Sequence, residues 1–346
     1  MPARLYLDHA ATTPMLPAAR DAMIEGFARW ANPSSPHAEG RAAKAALERA
    51  RARIRAALGW GHHLIFTGGA SEAAALALGR ATKATQFVSA VEHDAVRRAT
   101  GNAVVLPVGA DGMVDPDAIG ENALVAVQSV NSETGVIQPA ALGERIHALG
   151  GLWLADCAQS AAKLPLPDAD LIILSAHKLG GPPGIGALLI RDLAMLRPSG
   201  GQEQGYRGGT ENLPAILGFA AALEARGSRD HLPGLRTMLD DGVRAGGGLV
   251  IAEHSPRLPE IGSYRLPGVP ATAQLIELDL AGIAVSAGSA CSSGSLKPSP
   301  VLMAMGWSEA EAREVIRVSL APETKEADIA RLLAAWARLA ARRAAA

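Results

Sequence analysis

Three short polar clusters, each following an apolar run, carry residue types from which a catalytic site can be made. After Leu64–Thr67 come Gly68, Gly69, Ala70, Ser71 and Glu72, then an apolar helical pattern. Glycines let backbone approach a ligand, and the free N–H groups of a helix start, with the Ser71 hydroxyl, suit a phosphate. The plainer reading is an ordinary capped strand-to-helix turn, since short glycine-rich turns are weak motifs. After Leu152–Ala155 come Asp156, Cys157, Ala158, Gln159 and Ser160. An acid leaving an apolar strand is costly to bury without a cationic partner, although a helix N-cap would satisfy it equally well. After Leu171–Leu174 come Ser175, Ala176, His177 and Lys178, then a Gly/Pro-rich loop. A lysine walled by apolar residues has a lowered pKa and becomes nucleophilic; most loop lysines are simply exposed.

Taken together, the clusters favour one ligand over three coincidences. A phosphate cradle, an acid to keep a pyridine nitrogen protonated and a lysine to form a Schiff base are what pyridoxal 5'-phosphate requires. His93, following the run Gln86–Ala90, could stack on the ring, although a lone loop histidine is usually just exposed. A fourth cluster, Ser286–Ser295 (SAGSACSSGS), is rich in Gly, Ala and Ser and should be mobile, with Cys291 at its middle. An accessible thiol there can act as a nucleophile if neighbours stabilise its thiolate. Cys157, beside Asp156 at a strand end, reads as packing.

The elements that must position these groups follow from apolar periodicity. Seven strand-like runs stand out: His63–Thr67, Gln86–Ala90, Ala103–Pro107, Leu124–Val130, Leu152–Ala155, Leu171–Leu174 and Gly186–Ile190. Several are apolar at every position, as strands covered on both faces are. Helical patterns over Glu39–Leu58, Ser71–Arg80 and Ala140–Leu149 lie between them, so an α/β sheet, largely parallel, is expected. From about Arg226 the texture changes. Helical stretches near Leu232–Ala245 and Ala271–Ala281 alternate with strand-like Leu249–Ala252, Ile283–Ser286 and Val315–Leu320, and a helix over Lys325–Arg343 closes the chain. The expected division is a large cofactor-binding domain over 16–225 and a smaller α+β domain over 226–346, joined by residues 1–15.

Composition bounds the function classes. With 346 residues, 49% hydrophobic and 19% charged, the chain has enough apolar side chain for a sizeable core and is not disordered as a whole. A net charge of −1 gives no pull toward nucleic acid or an anionic membrane. Two cysteines make neither a disulfide framework nor a self-held iron–sulfur cluster. With no apolar run of signal-peptide or membrane-spanning length, a soluble cytoplasmic protein is expected.

These residues also resemble the cysteine desulfurases, pyridoxal-phosphate enzymes that take sulfur from L-cysteine. The resemblance runs from LDHAATTP at Leu7 to IRVSL ending at Leu320, through NPSSPH at Asn32, FTGGASE at Phe66, VEHDAV at Val91, NSETGVIQP at Asn131, DCAQS at Asp156, SAHKLGGPPGIGAL at Ser175, GGQEQGYRGGTEN at Gly200 and SAGSACSSGSLKPS at Ser286. It implies the pyridoxal-phosphate fold type I, with a mostly parallel seven-stranded sheet flanked by helices. It implies Lys178 as Schiff-base lysine and general base, Asp156 on the pyridinium, Gln159 on the ring oxygen and His93 stacked. Ala70, Ser71, Ser175 and His177 would bind phosphate, with Thr210 reaching the neighbouring subunit's phosphate in a homodimer. Arg317 would clamp the substrate carboxylate with help from Asn32, and Cys291 would accept the sulfur as a persulfide and pass it to an acceptor protein such as an iron–sulfur scaffold, or toward tRNA thiolation. Where the family carries paired asparagines before Glu133, this chain has Asn131 and Ser132, the residues then expected at the cofactor or substrate. A selenocysteine lyase, another pyridoxal-phosphate lyase or aminotransferase, and a non-catalytic docking subunit are the alternative readings.

Overall fold

The computed structural model describes residues 4–288 and 297–344, so Cys291 lies outside the described residues. In chain order the strands are β1 (Leu5–Tyr6), β2 (His63–Thr67), β3 (Gln86–Ser89), β4 (Val104–Leu106), β5 (Leu124–Ala126), β6 (Leu152–Asp156), β7 (Leu171–Ser175), β8 (Gly186–Ile190), β9 (Leu249–Val250), β10 (Ile261–Arg265), β11 (Ile283–Ala284) and β12 (Val315–Ser319). The helices are α1 (Pro17–Phe27), α2 (Ala38–Leu58), α3 (Ala70–Arg80), α4 (Asp94–Ala99), α5 (Ala141–Ala148), α6 (Leu213–Glu224), α7 (Leu232–Ala245), α8 (Ala271–Leu280), α9 (Pro300–Ala304), α10 (Glu309–Ala312) and α11 (Glu326–Ala344).

The expected sheet forms, in the order β2-β8-β7-β6-β5-β3-β4. All neighbours from β7 to β4 pair parallel, and β8 alone runs against the others. Strand side chains alternate between faces, so the inner strands feed two cores. Ile172 and Leu174 of β7 join Leu47, Ile54 and Phe219 from α2 and α6 on one face. Leu171 and Ile173 join Ala73, Ala77 and Leu78 of α3 on the other. That double cover explains the uninterrupted apolar runs.

Several boundaries differ from expectation, each for a local reason. The run Leu124–Val130 keeps bonding to β6 through the Val127 and Ser129 N–H groups, but its pairing with β3 ends at Ala126, and the Gln128 N–H donates to the Glu92 carboxylate at 2.5 Å. Helix α6 was not among the expected elements: it is apolar nearly all round and buried, so it has no amphipathic period, although Asn212 and Pro214 mark its start. Strand β10 was also missed, since Gly262 and Ser263 interrupt its apolar pattern.

Residues after 226 build a three-stranded antiparallel sheet, β12-β10-β9, covered by α7, α8 and α11 over a core that includes Leu239, Tyr264, Leu278 and Trp336. The N-terminal strand pairs there rather than with the large sheet: Leu5 and Tyr6 lie parallel to Ile283 and Ala284. The chain then crosses to the large sheet over residues 8–13. Thr13 donates its N–H to the His177 carbonyl and its hydroxyl to that of Lys178.

Candidate functional site

A cavity of about 570 Å³ opens at the carboxyl ends of β2, β3, β5, β6 and β7, where open α/β sheets place their ligands. It brings together Ala70, Ser71, His93, Ser132, Asp156, Gln159, Ser175, His177 and Lys178, residues from five separate stretches of sequence. Gln128 and Val130 line it as well. They were missed because they fell inside an expected strand, where side chains read as packing.

The floor of one wall is the turn from β2 into α3. Gly69 has φ 145°, a conformation that favours glycine, and the first-turn N–H groups of Ala70 and Ser71 have no intrahelical acceptor. Gly186 of β8 passes directly beneath: a Cβ there would sit 2.4 Å from the Leu174 carbonyl and 2.8 Å from the Gly69 Cα. Glu72 accepts from the Gly68 N–H and from Arg207 Nε at 2.7 Å, which ties this turn to the segment before Thr210. The segment is pinned again by Glu203, buried and bonded to Arg51 at 2.7 and 2.9 Å and to the Phe66 N–H at 2.8 Å.

Lys178 stands on a single 3-10 turn, Ala176–Leu179, that ends at Gly180 with φ 76°. A Cβ on Gly180 would lie 2.6 Å from Leu16, so glycine is needed both for space and for backbone. The Lys178 ammonium donates to the carbonyls of Ala10 and Ala11 at 2.6 and 2.9 Å. Burial, with Arg317 nearby, brings its pKa down to about 8, against the opposing pull of Asp156. His177 is brought to about 4 by burial and by Lys178, so its ring is neutral. It sits 3.2 Å from the Thr12 hydroxyl.

Asp156 accepts from the Ala158 N–H at 2.8 Å, and burial holds its pKa above the usual carboxylate range despite His93 and Lys178. Glu92, almost fully buried, is pushed up by burial and by Asp156. Asp156 is half-buried at the cavity wall, where a protonated ring nitrogen would be a fitting partner for its carboxylate. Gln159 gives its amide to the Ala10 carbonyl at 2.9 Å, while its Oε1 is buried without a donor. His93 caps α4, its Nδ1 accepting from Ala95 N–H at 3.2 Å. The imidazole thus carries its proton on Nε2 when neutral. A helix-start anion cradle, an acid short of a cation, an orphaned acceptor and an amine poised near neutrality fit pyridoxal phosphate.

Four expected residues do not line the cavity. Asn131 is buried and spends its side chain on its own turn, accepting from Glu133 N–H, Thr134 N–H and the Thr134 hydroxyl and donating to the Val91 carbonyl. Asn32 is exposed and caps Ser34 N–H at 2.8 Å. Thr210 is exposed. Arg317 lies behind Ser132, donating to its carbonyl at 3.1 Å and to Asp8 at 2.7 Å. Cys157 is buried, and burial drives its thiol to about 12. No His/Cys/Asp/Glu group among the described residues is arranged to hold a metal ion.

Comparisons with known proteins give the family of the chain. The model of the family described as aminotransferase class-V matches residues 5–332. The chain is 37% identical to a cysteine desulfurase of Gluconacetobacter diazotrophicus, with 95% of this chain and 91% of the relative covered. It is 36% identical to a cysteine desulfurase of Cereibacter sphaeroides, covering 95% and 94%. Among solved structures, a NifS-like protein superposes with a TM-score of 0.87 at 27% identity over 98% of this chain and all of the other. SspA in complex with cysteine superposes at 0.80 with 30% identity, covering 93% and 100%. The family depends on pyridoxal phosphate. Matched over residues 5–332 by the family model and over 95% of its length by these relatives, the chain belongs to the class-V aminotransferase family and, within it, to the cysteine desulfurases.

Proposed function

We propose that this protein removes sulfur from L-cysteine, releasing L-alanine and leaving the sulfur as a persulfide on Cys291. The observation that carries this reading is the meeting of Lys178, Asp156 and the α3 start in one cavity of a chain whose relatives are cysteine desulfurases. Bound pyridoxal phosphate supplies the electron sink for a carbanion at the substrate Cα. The α3 N–H groups of Ala70 and Ser71, with Ser175 and His177, hold its phosphate. Asp156 holds the proton on the ring nitrogen, Gln159 meets the ring oxygen, His93 covers a face, and Ser132 lines the wall. Lys178 would anchor the cofactor and would move the Cα proton, as an amine of near-neutral pKa. Arg317 receives the substrate carboxylate, with Asn32 at the rim.

The Cys291 thiolate attacks the substrate sulfur. An S–S bond forms, the substrate Cβ–S bond breaks, and the electron pair left on carbon is protonated as alanine forms. Of the two thiols in the chain, Cys157 is a poor acceptor because it is buried and un-ionised. We assign residues 16–225 and 226–346 to the two domains and place the enzyme in the cytoplasm. No helix among the described residues is long and apolar enough to cross a membrane. The exposed Thr210 suits contact with a second copy in a homodimer. An acceptor in iron–sulfur assembly suits the relatives named IscS.

The test is alanine release from L-cysteine by cofactor-loaded protein with a thiol reductant, set against Cys291→Ala. Alanine from the wild type and loss of it in the variant is the expected result. Equal alanine from both removes Cys291 from the reaction, and none from either overturns the proposed activity.

A further inference from the structure

The guanidinium of Arg317 is not a free cation waiting for substrate. Its side chain is about one-tenth exposed. Nη2 donates to Asp8 Oδ1 at 2.7 Å and Nη1 to the Ser132 carbonyl at 3.1 Å. Its Nε is buried without an acceptor. Arginine has five N–H donors in a rigid fork, so these contacts leave three, of which at least one is a buried orphan whose desolvation is uncompensated. The bonds to Asp8 and Ser132 fix the plane and direction of those that remain. Ser132 itself lines the cavity.

Both ends of the ion pair rest on rigid backbone. Arg317 is in β12, bonded both ways to Ser286, and Asp8 lies beside Ser319 in a bridge. The Asp8 carbonyl also receives the N–H groups of Ala11 and Thr12, at the turn whose Ala10 and Ala11 carbonyls hold Lys178. One short N-terminal turn therefore braces both the cation expected to meet the substrate carboxylate and the amine expected to act at its Cα.

We propose that Asp8 is a positioning residue that aims the guanidinium of Arg317 at the substrate carboxylate. The proposal rests on the reading of Arg317 as the carboxylate clamp. Asp8 does not touch substrate. It holds one edge of the fork so that the unpaired N–H groups face the ligand in a fixed orientation, which lowers the ordering cost of binding. Asparagine in its place keeps an acceptor for Nη2 and so keeps most of the aim, whereas alanine keeps none.

The experiment uses cofactor-loaded protein and steady-state alanine release. Asp8→Ala should raise KM for L-cysteine about tenfold, the loss of one charge-assisted hydrogen bond, with kcat changed much less. Asp8→Asn should recover most of that rise. Inhibition by cysteamine, which lacks the carboxylate, should weaken no more than about twofold in either variant. In the background of Arg317→Ala, adding Asp8→Ala should cost nothing further in KM. A fall in KM on removing Asp8 would make it a competitor of the substrate and overturn the proposal. So would equal weakening of L-cysteine and cysteamine, or additive effects in the double variant. Arg317→Ala with unchanged KM overturns the clamp reading as well, which separates that failure from one confined to Asp8.

Discussion

Carbamoylation of Lys178 by cyanate, followed in the cofactor-free protein by mass spectrometry from pH 6.5 to 10.5, reads the state of the amine directly. Only the neutral amine reacts. With its pKa near 8 rather than the ordinary 10.5, about one Lys178 in ten is neutral at pH 7, against roughly one in three thousand for an unperturbed lysine. Its reactivity relative to a surface lysine should therefore approach 300-fold at neutral pH, level off above about pH 8.5, and lose its advantage as the others titrate. Burial is the largest cause and Arg317 the next, so Arg317→Met should move the midpoint upward. The same shift has a stability consequence with a definite sign. The unfolded chain binds the proton more tightly, so the folded state carries a penalty of about 3 kcal/mol at pH values below 8. That penalty is relieved as pH rises from about 8 to 10.5. Relative to Lys178→Met, wild-type protein should gain stability through this window. A labelling midpoint at pH 10 or above would refute the reasoning, since it would mean that the amine is solvated as well as in water.

Asp156→Asn should separate cofactor binding from stability: removing the half-buried acid beside buried Glu92 relieves their repulsion, so the cofactor-free protein should melt at the same temperature or higher. Its affinity for pyridoxal phosphate should fall at least about tenfold, and a titration followed by absorbance together with a thermal melt measures both. The Arg51–Glu203 pair should behave in the opposite way. Both side chains are buried, and Glu203 also accepts the Phe66 N–H, so Glu203→Gln should cost about 3–5 kcal/mol in urea unfolding. The paired change Arg51→Met with Glu203→Met should recover much of it, and a single-variant loss below 1 kcal/mol would count against this account.

The strand-end clusters were legible in the sequence because each is local. A run of apolar residues, a polar break and a glycine or helix start all fall within a dozen positions, and the parallel sheet then collects such ends at one edge. Lys178, Asp156 and Ser71 meet for that reason. Elements whose signal is a missing period, such as the all-round apolar α6, were not legible, nor were backbone groups taken up by a distant side chain, as Glu92 accepts the Gln128 N–H just past the end of the β5 pairing with β3.

Roles and partners divide along the same line. The sequence by itself determined the order and chemistry of the polar clusters and the alternation that makes the sheet. Only the tertiary structure decided which of those groups face one cavity. It committed Asn131 to its own turn and brought Asp8 across 309 positions to the guanidinium of Arg317. Local patterns encode backbone geometry, whereas the partner of a buried charge is chosen by whichever segment packing places beside it, and no spacing along the chain records that choice.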